Sequence, residues 1–341
     1  MRLYQLFYDP VSRPRESDLL GPDQPFKPYP PVHRVRFNAG LRLAVFLGSA
    51  FGITVIVMLA GVAWATIWGG VTGDPELAES VFDSLGLGAA AELIGAIGAY
   101  LVLVGVLEGR GSPLELGWRR IGGFLKGIAL GFFLITVTVG LLALMGCYHV
   151  RGFNSGYSPW SDLLMAGLTA GVAEELIFRG ALFRILEDTV GTLFSVAASA
   201  LIFGAVHLSN QDGTWLGAVG IAIGALVLPA VYIATRSLWW PMGVHLAWNV
   251  TQGPIWSSPI SGTGTGRGML RVEWTGPEWL TGGLFGIEAS VVLMATVGAF
   301  SVWLLVMAHR SGNFIPPFWK RHRLLIARAV TAAGPSTTEN S

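Results

Sequence analysis

The stretch Gly171-Val-Ala-Glu-Glu-Leu-Ile-Phe-Arg-Gly180 places Glu174, Glu175 and Arg179 inside a long apolar segment. One ionised side chain at the centre of a bilayer costs ~2.5–3.5 kcal/mol on insertion scales. Three of them within two helical turns therefore require an interior lined by protein and reached by water. Two later apolar segments carry His207, and then His245 with Asn249. A buried carboxylate is a candidate general base. A histidine paired with a neutral amide donor suits stabilisation of a developing oxyanion. The residue types point to chemistry inside a bundle of membrane helices.

Spacing divides the labour. At about 100° per residue on a helix, Glu175 falls ~100° and Arg179 ~140° from Glu174. Glu175 and Arg179 thus share a face at i, i+4, the spacing of an ion pair, and Glu174 is the carboxylate left free to react. Phe203 and His207 are also i, i+4, so the ring can brace the imidazole. His245 and Asn249 repeat the spacing, which serves either an oxyanion or a hydrogen bond between helices. If the Glu174 segment runs inward and the His207 segment outward, both residues lie roughly 20–25 Å from the inner boundary and can meet. His245 comes out about 10 Å shallower on the same reckoning, so its segment must be tilted, broken or set deep. Glu92 and Glu288 are single acids of apolar segments, suited to lining a water path or snorkelling near a helix end. His149 and His309 stand at segment boundaries.

The elements that must position these residues are apolar helices. The chain of 341 residues is 52% hydrophobic and 13% charged, against about 25% charged for a soluble domain, and its mean hydropathy is +0.58. The expected fold class is all-α: a polytopic membrane helix bundle. About eight segments approach the ~20 apolar residues of a span: 41–68, 89–107, 121–145, 162–186, 190–208, 215–234, 238–252 and 284–308, the seventh being the shortest. Residues 1–40 read as a polar N-terminal arm and 309–341 as a basic, then disordered, tail. No cleavable signal peptide is expected, because residues 41–68 outrun a signal-peptide core. Arg34, Arg36, Arg42, Arg110, Arg119, Arg120, Lys126, Arg184, Arg236, Arg310, Lys320, Arg321, Arg323 and Arg328 fall on alternate sides from the acidic loop 70–88, which puts both termini in the cytoplasm.

Four glycine pairs, Gly48/Gly52, Gly127/Gly131, Gly167/Gly171 and Gly220/Gly224, predict close helix packing. Trp239, Trp240, Trp248, Trp303 and Trp319 suit an interfacial belt. The loop 254–283 reads as a connection with interfacial tryptophans, or as a lid. A net charge of +1 with no basic stripe argues against a nucleic-acid partner. The one cysteine, Cys147, forms no intrachain disulfide.

The order Glu-Glu-x-x-x-Arg (Glu174, Glu175, Arg179), Phe-x-x-x-His (Phe203, His207), His-x-x-x-Asn (His245, Asn249) resembles the CAAX prenyl protease and bacteriocin-processing family of intramembrane proteases, also called the Abi family. The motifs span residues 162–253, and 114–120 resemble the amphipathic lead-in of that family. The resemblance implies an intramembrane endopeptidase. Glu174 would activate water with help from His207, while His245 and Asn249 would stabilise the oxyanion. Glu175 and Arg179 would support the site. It also admits a zinc-dependent version in which Glu174, His207 and His245 are ligands. The metal-free mechanism is favoured, because no His-Glu-x-x-His occurs and a ligating Glu174 is not free to act as base. The implied partners are the lipid bilayer and a peptide or membrane-anchored substrate, in what reads as a prokaryotic plasma membrane. Rival readings are a transporter that uses the same groups as a proton relay and a non-catalytic scaffold. Oligomeric state is not readable.

Overall fold

The computed structural model describes residues 39–320 except 75, 83–84, 110–112 and 265. Nearly all of the expected N-terminal arm, and the tail beyond Lys320, lie outside the described residues. Among the latter, six helices are long and apolar enough to cross a membrane: α1 (Ala39–Thr72), α2 (Gly86–Leu107), α3 (Trp118–Leu144), α4 (Trp160–Ser209), α5 (Trp215–Thr235) and, near the C-terminal end, α7 (Val291–Arg310). A shorter helix, α6 (Trp239–Val250), stands between α5 and α7. The bundle is all-α and polytopic, as expected. Apolar helices satisfy every backbone polar group internally, which hydrocarbon demands.

Two expected spans are one run. Helix α4 extends over 50 residues and breaks at Gly191, whose φ of 80° and ψ of 168° are not helical. A side chain at Gly191 would stand 2.7 Å from Ile315 O and from Pro317 N. The break therefore divides α4 into a first arm bearing Glu174 and a second arm bearing His207. The seventh expected span is the short helix α6, 12 residues long, about 18 Å at 1.5 Å per residue, continued by wide turns over Thr251–Ile255. It is buried in the bundle.

Glycine rows embed it. A Cβ at Gly127 of α3 would lie 2.9 Å from Val244 N, and one at Gly171 of α4 would lie 2.9 Å from Leu246 N. The backbones of α3 and α4 thus close on α6 from two sides. A Cβ at Gly224 of α5 would likewise stand 2.8 Å from Leu293 of α7. The Gly48/Gly52 expectation fails, since an added Cβ at either meets nothing within 4 Å. That pair lies on an open face of α1, where Phe51, Ile56 and Leu59 are also exposed.

Outside the helices, β1 (Tyr148–Phe153) pairs antiparallel with β2 (Leu270–Trp274), with an irregularity between Val150 and Gly152. The loop 254–283 thus contains a strand that the sequence reading did not anticipate. Arginines read as loop charges are partly structural. Arg184 pairs with Glu108 at 2.6 Å, Arg42 with Glu108 at 3.4 Å, and Arg236 with Glu187 at 3.0 Å. Trp240 and Trp248 are buried, which removes both from the expected interfacial belt; they pack where glycines let helices close.

Substitution of Gly127 by Leu forces α3 off α6. Overpacking of this kind costs ~1–3 kcal/mol, so the purified protein should melt at a lower temperature in detergent, whereas Gly48→Leu should melt like wild type.

Candidate functional site

The first arm of α4 is not an ordinary helix. From Leu163 to Glu174 and from Leu176 to Phe183 its turns are of the wide i→i+5 kind, a geometry that gathers at functional sites. Thr169 Oγ1 follows the same step, donating to Leu164 O at 3.0 Å. The regular 100° wheel therefore does not describe this segment. The ion pair forms nonetheless: Arg179 Nη1 donates to Glu175 Oε1 at 2.8 Å, both side chains being buried.

The same Glu175 oxygen has a second partner across the bundle, His245 Nδ1 at 2.9 Å. A carboxylate only accepts, so His245 Nδ1 carries the hydrogen and Nε2 is its reactive nitrogen. His207 is held in the same sense. Its Nδ1 lies 2.6 Å from Phe203 O, again an acceptor, which leaves Nε2 to react. Anchoring one imidazole nitrogen to define the other is the usual way a protein sets a histidine tautomer.

Phe203 joins these groups. Its ring centroid lies 4.7 Å from that of His207 and 6.1 Å from that of His245. The Arg179 guanidinium stands 4.8 Å from the Phe203 centroid, within cation–π range. Phe203 therefore braces both imidazoles, one more than its spacing predicts. Asn249 Nδ2 donates to Ala166 O at 2.7 Å, tying α6 to the first arm of α4 and leaving the second amide hydrogen free to donate.

A cavity is lined by Phe203, His207, His245, Asn249, Trp248 and Glu288, with Ser261 and apolar residues of α5. Three of the four expected catalytic residues thus share one space. The lining comes from the second arm of α4, from α5 and from α6, and the first arm of α4, which bears Glu174, contributes no lining residue. Glu174 lies within electrostatic range of His245, Glu175, Arg179 and Glu92, and its Oε2 is buried without a hydrogen-bond partner.

Glu288 was expected to line a water path or to snorkel; it is buried and lines the cavity. Its position at the start of an apolar segment hid this, since the partners that bury it come from a distant loop. His149 binds Gly146 O and Thr275 Oγ1 beside the strands, and His309 packs on Phe314. Neither joins the site. Among the described residues no group of three His, Cys, Asp or Glu side chains is placed to hold a metal ion, so Glu174, His207 and His245 do not converge as a ligand set in this arrangement.

Residues 156–251 match the family model described as type II CAAX prenyl endopeptidase Rce1-like. A relative named "Putative membrane peptidase YdiL", from Bacillus subtilis (strain 168), is 26% identical over 123 residues, 36% of this chain and 46% of that protein. The chain thus matches about half the length of this curated relative. No solved structure matches. The matched region holds all three motifs, so the CAAX-protease family read from them is supported where the site lies.

The two glutamates should separate by their effect on folding. Removing one partner of a buried ion pair costs ~3–5 kcal/mol, so Glu175→Ala should sharply lower the melting temperature by stranding Arg179. Glu174→Gln, which removes no observed hydrogen bond to Oε2, should leave it nearly unchanged.

Proposed function

We propose that this protein is an intramembrane endopeptidase of the CAAX-protease type, hydrolysing a peptide bond with water activated by Glu174. The observation that carries the reading is the pair of anchored imidazoles. His207 and His245 come from separate elements, line one cavity with Asn249, and each has Nδ1 committed to an acceptor. The family match over residues 156–251 supports the same reaction class.

Glu174 offers a buried carboxylate oxygen free of protein partners, beside His245. In the proposed step it takes a proton from water as the oxygen adds to the scissile carbonyl carbon. The charge that develops on the carbonyl oxygen is met by the remaining Asn249 amide hydrogen and by a His245 imidazolium balanced by Glu175. Collapse of the tetrahedral adduct breaks the C–N bond, and the proton held by Glu174 passes to the leaving amine with His207 as relay. Arg179 and Phe203 hold the two imidazoles in register. No step is routed through a metal, since the candidate ligands do not converge.

The substrate is a peptide or a membrane-anchored protein whose scissile bond reaches the membrane interior. The distribution of Lys and Arg supports cytoplasmic termini, and the YdiL relative supports a bacterial plasma membrane.

The test compares protein termini in membranes of cells expressing wild type and Glu174→Ala at equal levels. General-base catalysis contributes ~10²–10⁴-fold, so termini produced by the wild type should disappear with the variant. Identical termini would overturn the protease reading and favour a carrier or scaffold. Exhaustive chelation followed by metal analysis checks the metal-free mechanism separately: activity should persist without stoichiometric metal, and its loss with recovery on zinc addition would reverse that part of the proposal.

A further inference from the structure

Glu288 is the most heavily hydrogen-bonded acid in the cavity wall. Its Oε1 accepts from Trp248 Nε1 at 3.1 Å and Ser261 Oγ at 3.0 Å. Its Oε2 accepts from Ser261 N at 2.6 Å, Ser261 Oγ at 3.0 Å and Gln252 Nε2 at 3.2 Å. All of these groups are donors, so both carboxylate oxygens are committed as acceptors. The donors come from two places: Trp248 and Gln252 from α6 and the turn after it, and Ser261 from the outer loop.

Ser261 also faces the other way. Its carbonyl accepts from Asn210 Nδ2 at 2.7 Å, and Asn210 N is bonded in turn to His207 O at 3.3 Å. The next residue, Gly262, accepts from Asp212 N at 3.0 Å and donates to Phe285 O at 2.9 Å. Ser261 holds a left-handed φ of 50°, uncommon for a residue with a side chain and sustained here by bonds on every side. The chain of contacts therefore runs from the end of the His207 arm, through Asn210 and Ser261, to Glu288, and on to Trp248 beside Asn249.

We infer that Glu288 is a positioning residue: with Ser261 it forms a clasp that fixes the distance between the His207 end of α4 and the helix carrying His245 and Asn249. The inference deepens the protease reading and rests on it for its kinetic consequence. Glu175 and Phe203 set the two imidazoles on one side of the cavity, and the clasp holds the same two elements together on the other. Without it the only side-chain bond among the described residues from α6 and its following turn to this loop, near Ser261, is that of Gln252 Nε2 to Pro259 O at 2.6 Å.

Glu288→Gln is the direct test, because it preserves shape while placing an NH2 group against donors. Two readouts separate the clasp from the chemistry. Spin labels at Ser209→Cys, just past His207, and Leu144→Cys, on the helix that packs against α6, report the separation in the full-length protein whether or not it is active. Cleavage is followed with a quenched-fluorescence peptide copied from a site found by the terminus comparison. The distance distribution should broaden in Glu288→Gln. A 1 Å misplacement of a catalytic group costs on the order of 10²-fold, so kcat should fall about 10- to 100-fold with KM changed by less than about threefold. Ser261→Ala, which removes only the hydroxyl bonds, should shift both readouts less and in the same direction, and it keeps the test alive if Glu288→Gln fails to fold. An unchanged distance distribution overturns the clasp. A broadened distribution with unchanged kcat overturns the positioning role and leaves the protease reading standing. If the wild type cleaves nothing, the protease reading fails, and the distance measurement alone decides whether the clasp exists.

Discussion

The buried carboxylate of Glu175 is the constraint on which the site depends. Its Oε1 receives Arg179 from its own helix and His245 from α6. Arg179 in turn lies against Phe203 of the second α4 arm and donates to Ala225 O of α5 at 3.4 Å. One oxygen thus gathers four helical segments around the site. The reason is energetic: a charge taken out of water must be paired and hydrogen-bonded or it unfolds its surroundings. Because Arg179 is fully buried, the elements around it have few arrangements in which it is satisfied. The imidazoles inherit their orientation from that requirement.

A second polar layer fixes the opposite end of the same helices. Glu108 at the end of α2 receives both Arg184 of α4 and Arg42 of α1. Tyr100 donates to Glu115 at 2.6 Å, just before α3. Arg236, in a left-handed conformation after α5, reaches Glu187 and also donates to Asn313 O at 2.6 Å, beyond α7. These bonds surround the Gly191 break. Arg184 and Glu187 pin the first arm, and Thr192, at the start of the second, donates its N–H to Ile315 O at 2.9 Å and accepts from Ile315 N at 2.8 Å. The rigidity of the candidate site is therefore supplied from outside it.

Much of this was legible in the chain, and the failures have physical causes. Charges in apolar segments are costly enough to be informative, so Glu174, Glu175, Arg179, His207, His245 and Asn249 stood out, and the Glu175–Arg179 pair followed from its spacing. The partner of His245 did not, because a contact across 70 residues leaves no periodic trace. The wide turns of the first α4 arm also escaped, since residue identity alone does not distinguish i→i+5 from i→i+4 bonding. Glycine pairs predicted packing where a neighbour exists, at Gly127 and Gly171, and misled at Gly48, where composition is the same but the face is open. Helix α6 is the shortest of the expected spans, and glycine rows on α3 and α4 explain how it can be buried.

After α6 the chain continues in wide turns over Thr251–Ile255 and enters a loop whose Ser257, Ser258 and Ser261 are buried. Such backbone is tolerated at depth only where protein or a wet cavity satisfies it. Ser258 Oγ accepts from Ile287 N at 3.2 Å, Gln252 donates to Pro259 O at 2.6 Å, and Ser261 is taken up by Glu288. The loop thus saturates itself against the bundle and becomes a polar roof over the histidines. A water molecule needs polar company to persist in such a place, and a peptide backbone needs partners for its own N–H and C=O groups.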